Sequence, residues 1–126
     1  MKILVVDDHH RMRTLIRQVL AGAAHEVIEC DDAQEAVRRC GETHPDLTLM
    51  DLEMPGMDGL AATRAIRGMD PSARVMILTA HDSPALRLAA RAAGATGYAL
   101  KSDLHLLTEL VASDQPATET PLTSNL

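Results

Sequence analysis

Short apolar runs of about four residues alternate along the chain with longer stretches whose apolar positions recur at helical spacing. This alternation is the signature of repeated strand-then-helix units that feed a parallel sheet. Five such repeats can be counted. Lys2 to Val6 predicts a first strand, and Met12, Leu15, Ile16, Val19 and Leu20 after it follow the stripe of a helix packed on a sheet. Glu26 to Cys30 predicts a weaker strand with acids around it, better suited to a sheet edge than to the centre. The second helix is well punctuated: Asp32 as cap with Glu35 reaching back, Ala33, Ala36, Val37 and Cys40 as its buried stripe, and Gly41 as its stop. Leu47 to Met50 predicts the third strand, a loop through Gly59 leads to a helix ending near Gly68, and Asp70-Pro71 turns the chain into a fourth strand, Arg74 to Leu78. Ser83-Pro84 starts a helix with Leu86, Ala89, Ala90 and Ala93 inward, Gly94 ends it, Gly97 to Leu100 is the last strand, and a fifth helix is expected from about Asp103 to Ala112.

The chain has 126 residues, 46% of them apolar, which suits one domain with one core. A net charge of −6 with no Lys/Arg cluster argues against direct nucleic-acid binding by this segment. The first apolar run, Ile3 to Val6, is too short for a secretory signal or a membrane span, so a cytoplasmic protein without membrane contact is expected. Cys30 and Cys40 lack metal-ligand spacing and read as free thiols. Tyr98 is the only aromatic residue, so aliphatic side chains and Met must build the core.

Chemistry concentrates where the runs end. Asp7 and Asp8 follow the first, Asp51 the third, Thr79 the fourth and Lys101 the fifth. In open parallel sheets the working residues sit outside the carboxyl ends of the strands. Singly, each of these residues has a dull explanation as a helix cap, an edge hydroxyl or a solvated charge. Together, three acids and one cation in one crevice call for a divalent cation to hold the acids against their mutual repulsion.

The stretches Val5-Val6-Asp7-Asp8, Leu49 to Gly59, Leu78-Thr79-Ala80 and Gly94 to Lys101 resemble, in letters and spacing, the receiver domains of bacterial two-component response regulators. The resemblance covers Met1 to about Ala112 and is nearest to receivers whose regulators carry a helix-turn-helix DNA-binding domain. It implies a doubly wound α/β fold of flavodoxin-like (βα)5 type with strand order 2-1-3-4-5. It further implies that Asp51 is the phosphoacceptor for a sensor histidine kinase, and that Mg²⁺ is bound by Asp8, Asp51 and the backbone carbonyl of Glu53, with Asp7 acting through a coordinated water. Lys101 and Thr79 would compensate the charge of the phosphoryl group, Ala80 would leave access to it, and Tyr98 would follow Thr79 inward, altering the surface of the fourth helix, fifth strand and fifth helix. The family places the side chains of Glu53 and His81 where they tune the lifetime of the phosphoryl group. Ser102 stands where many receivers have a cis proline, and His9 and His10, just after the acid pair, read as surface histidines on the first helical turn in preference to the alternative of metal ligands.

The expected role is thus a signalling switch that catalyses only its own phosphorylation and dephosphorylation. An aspartate-nucleophile phosphatase would place a second Asp two residues after the first and insert a cap, whereas this chain has Glu53 and no insertion. Flavin binding would need a hydroxyl-rich phosphate loop after the first strand, which is missing. Residues 113–126, rich in Thr, Ser and Pro, read as a linker or disordered tail leading to a DNA-binding effector domain outside this chain. A stand-alone receiver acting by protein contact is the alternative, and phosphorylation-driven homodimerisation is open under either reading.

Overall fold

A computed structural model of the chain describes residues 1–21, 25–54 and 56–113. Five strands, β1 (Lys2–Val6), β2 (Glu26–Cys30), β3 (Leu47–Asp51), β4 (Val75–Thr79) and β5 (Gly97–Leu100), pair in parallel in the order β2-β1-β3-β4-β5. The helices are α1 (His10–Ala21), α2 (Ala33–Thr43), α3 (Gly59–Met69), α4 (Pro84–Ala93) and α5 (Leu107–Ser113). The doubly wound α/β fold and its strand order agree with expectation.

Alternation along the strands builds two cores. Leu4, Val6, Met50 and Ile77 face one side, where they pack with Ala36 and Cys40 of α2, Ala62 and Ile66 of α3, and Ala90 of α4. Ile3, Val5, Leu47, Leu49, Met76 and Leu78 face the other, against Ile16 and Leu20 of α1 and Leu107 and Val111 of α5. Strands β3 and β4 are buried along their whole length, as central parallel strands covered on both faces must be. β2 is partly exposed and lies at the edge, which explains its tolerance of Glu26 and Glu29.

Several local expectations need correction. Leu15 belongs to the helical stripe by spacing but is exposed, because the inward face of α1 is narrow and centred on Ile16 and Leu20. Asp32 does cap α2, accepting from the amides of Gln34 and Glu35 at 2.7 and 3.1 Å. Glu35, however, does not reach back; its carboxylate pairs with Arg38 one turn on. Nor does Gly41 stop α2. The helix runs to Thr43 and ends at His44, which adopts the left-handed region at φ 48° and donates its amide to the Cys40 carbonyl. Pro45 supplies the reason, since its ring disfavours right-handed helix at the residue before it. β4 begins one residue later than expected and includes Thr79.

The fifth helix also starts later. Lys101–Leu106 form a 3₁₀ segment in which Asp103 departs from helical geometry (φ −109°, ψ 33°), and only from Leu107 is the helix regular. Ser102 and Asp103 are weak helix formers whose side chains compete for backbone partners. The segment therefore coils tightly just after the strand that positions Lys101. No cis peptide bond occurs among the described residues, Lys101-Ser102 included. Cys30 and Cys40 are buried free thiols. Residues 114–126, the main part of the expected linker, lie outside the described residues.

Candidate phosphoacceptor site

Strand register brings the site together. Val6 of β1 is opposite Met50 of β3, Asp51 is opposite Leu78 of β4, and Thr79 is opposite Leu100 of β5. The residues that end or follow these strands, Asp7, Asp8, Asp51, Thr79 and Lys101, therefore emerge side by side along one edge of the sheet. Two features hold that edge in place. Asp58 caps α3 by accepting from the Ala61 amide at 2.7 Å, and Gly59 lets the start of α3 lie directly against β3, where a Cβ would come within 2.3 Å of the Asp51 carbonyl oxygen. Any side chain there would have to push the two backbones apart.

Lys101 is the electrostatic centre. Its ammonium lies 2.9 Å from Asp7 Oδ2 and 3.0 Å from Asp51 Oδ1, so it bridges two carboxylates. Burial disfavours its charge, but the two carboxylates outweigh that and raise its pKa. Asp7 and Asp51 are each only 1% exposed. Asp7 is further fixed by the His9 amide at 2.8 Å, while Arg13 donates to the Asp7 carbonyl at 2.7 Å.

One cation does not neutralise this crowd of acids. The Asp51 carboxyl is pushed up to about 6, first by burial, then by the neighbouring Glu53 carboxyl and by Asp7, with Lys101 opposing. Its second oxygen, Oδ2, is buried and has no hydrogen-bond partner. One ligand atom from each of Asp7, Asp8, His9 and Asp51 falls within 4.8 Å of the others. A buried, unpartnered carboxylate oxygen in a cluster of oxygen donors is the chemistry a hard divalent cation requires, so the residues fit Mg²⁺. His9, expected to be a plain surface residue, is exposed yet stands at this cluster, with Nδ1 3.3 Å from Asp7 Oδ1 and 3.1 Å from Asp8 Oδ1.

Thr79 is near the site but engaged elsewhere. Its hydroxyl donates to Glu53 Oε1 at 2.5 Å and accepts from the His81 amide at 3.2 Å. Glu53 is held below its usual pKa: burial works against ionisation, but the Asp51 carboxyl, the Thr79 hydroxyl and a backbone amide prevail. Among the described contacts Glu53 is thus the partner of Thr79, a link that adjacency in sequence gave no means to see. Tyr98 is buried, its hydroxyl donates to the His81 carbonyl at 2.7 Å, and the Arg87 guanidinium stands 4.6 Å from its ring centre. The aromatic expected to move inward therefore already stands inward in this conformation.

Comparison with known proteins agrees with this fold. Chemotaxis protein CheY of Listeria monocytogenes is 36% identical over 102 residues, covering 80% of this chain and 86% of that protein. The probable transcriptional regulatory protein NarL of Mycobacterium tuberculosis is 37% identical over 112 residues, but this chain spans only 51% of its length. Among solved structures, a LuxR-family two-component response regulator from Aurantimonas superposes with TM-score 0.84 at 41% identity, over 88% of this chain and 81% of that one. The BeF3-activated N-terminal receiver domain of Klebsiella pneumoniae RstA gives 0.82 at 29% identity, over 91% and 99%. Residues 3–112 match the family described as response regulator receiver domain. With that match and the fold it shares with these solved response regulators, the chain belongs to the family as a signalling receiver of two-component response regulators.

Proposed function

We propose that Asp51 accepts a phosphoryl group from a phosphohistidine of a sensor histidine kinase. The observation that carries this reading is the Asp51 carboxylate itself: buried at the end of β3, with one oxygen on Lys101 at 3.0 Å and the other without a hydrogen-bond partner. A carboxylate oxygen attacks phosphorus, the bond from phosphorus to the kinase imidazole breaks, and the imidazole leaves with its electron pair and takes a proton from water. Mg²⁺, held by Asp8, Asp51 and the Glu53 carbonyl with Asp7 behind a water, would supply charge neutralisation between nucleophile and phosphoryl group. Lys101, which touches the acceptor at 3.0 Å, would meet a phosphoryl oxygen.

Phosphorylation would compete with Glu53 for the Thr79 hydroxyl. A phosphoryl group adds about −1.5 to −2 charges and strong acceptors beside Asp51, which favours a conformer with Thr79 turned toward it. Tyr98 hydrogen-bonds the His81 carbonyl, and the His81 amide donates to Thr79, so a shift of Thr79 is transmitted to the aromatic ring and to the surface of α4, β5 and α5. The output follows from that surface. The similarity to NarL favours transcriptional control through a DNA-binding domain outside this chain, and the similarity to CheY, 86% of whose length is matched, favours action by protein contact alone. In either case the protein works in the cytoplasm and turns over no outside substrate.

Incubation with acetyl phosphate and Mg²⁺, followed by intact-mass measurement, tests the reading. The expected result is a single phosphoryl adduct that Asp51→Asn abolishes. Steady hydrolysis of a phosphomonoester without an adduct would refute it.

A further inference from the structure

We infer that His9 is a nitrogen ligand of the cation site, making this receiver selective for imidazole-preferring transition dications, such as Ni²⁺ and Zn²⁺, over Mg²⁺. The inference rests on the reading of Asp8 and Asp51 as metal ligands and adds to them a residue of different chemistry. Around an octahedral ion with bonds near 2.1 Å, adjacent ligand atoms lie about 3 Å apart. His9 Nδ1 stands 3.1 Å from Asp8 Oδ1 and 3.3 Å from Asp7 Oδ1, which is the spacing of neighbouring vertices on one coordination sphere. The buried Asp51 Oδ2, without a hydrogen-bond partner, points to a ligand at the same cluster, and all four side chains offer an atom within 4.8 Å of one another.

The donor set decides which ion gains. Mg²⁺ is a hard ion that takes oxygen ligands and gives up water reluctantly, so an imidazole adds little to its binding. Imidazole suits Ni²⁺ and Zn²⁺ well, and affinity rises along the series from Mn²⁺ toward Cu²⁺. The backbone of His9 is anchored by its amide bond to Asp7 Oδ1 at 2.8 Å, which keeps the ring at the site, while its 68% side-chain exposure leaves it free to turn onto an ion.

The test compares untagged protein with His9→Ala, and with His10→Ala as a neighbouring-histidine control, by titration calorimetry with MgCl₂ and NiCl₂ and by electron spin-echo spectroscopy of bound Mn²⁺. Unfolding curves confirm that the variants fold, as expected for exposed positions. The expected result is an imidazole nitrogen modulation in wild type and His10→Ala that His9→Ala lacks. Ni²⁺ affinity should fall in His9→Ala by roughly a factor of ten or more, the size of effect that even outer-shell partners exert, with Mg²⁺ affinity nearly unchanged. Absence of the nitrogen signal, or equal losses for Ni²⁺ and Mg²⁺, would overturn the inference while leaving the phosphoacceptor reading intact. Failure of wild type to bind any of the three ions would count against both.

Discussion

Replacing Asp51 with Asn should stabilise the metal-free protein even as it abolishes phosphoryl acceptance. The carboxyl sits at about 6 against an ordinary value of 3.8 because burial, Glu53 and Asp7 together outweigh Lys101. That shift is about two pH units, and at about 1.4 kcal/mol per unit it means that ionising Asp51 costs the native state about 3 kcal/mol at pH 7. Asn removes the charge but brings an amide whose donors must find partners, at a cost of about 1 kcal/mol. Lys101 keeps its contact with Asp7 at 2.9 Å, so it is not stranded. A net gain of about 1 to 3 kcal/mol is therefore expected. Because the native carboxyl holds its proton in a range where the unfolded one has lost it, wild-type stability falls as pH rises through about 4 to 6. The advantage of Asn should be full at pH 7 and vanish below about pH 4. Urea unfolding followed by circular dichroism, in EDTA at both pH values, measures this directly. Added Mg²⁺ should narrow or reverse the gap at pH 7, since an ion bound to the native state stabilises it and Asn weakens the site. An Asn variant less stable than wild type in EDTA at pH 7, or a difference that ignores pH, would refute the electrostatic account.

Lys101→Met should cost about 3 kcal/mol or more in EDTA, because it leaves the buried Asp7 and Asp51 carboxylates facing each other, and Mg²⁺ should restore part of the loss in the same unfolding assay. Gly41→Ala should raise stability by about 1 kcal/mol: the residue lies inside α2, not at its end, and a Cβ there meets nothing within 4 Å. Gly59→Ala should do the opposite, losing about 1 to 3 kcal/mol, since the new methyl collides with the Asp51 carbonyl. The displaced strand end should also slow labelling by acetyl phosphate, a deficit that mass spectrometry at short times would show.

Much of the fold was legible because its signals are local. Four-residue apolar runs ending in Asp7, Asp51, Thr79 and Lys101 report strand ends whatever the neighbours are, and Ser83-Pro84 and Gly94 bound a helix by their own backbone preferences. Misplaced elements were those where a nearby residue overrode a local signal. Gly41 could have ended α2, but Pro45 set the end at His44, and the non-helical geometry of Asp103 delayed to Leu107 a helix expected from about Asp103.

What the sequence by itself determined was the set of parts: five strand-helix units, the acids and lysine that finish the strands, and hence the family. What only the tertiary structure decided was which part holds which. Lys101 bridges Asp7 as well as Asp51, Thr79 gives its hydroxyl to Glu53, and His9 stands against the acid pair. The reason is physical. Burial periodicity is written along the chain and can be read one element at a time, whereas hydrogen bonds and ion pairs depend on separations of about 3 Å between residues tens of positions apart, and strand register alone sets those separations.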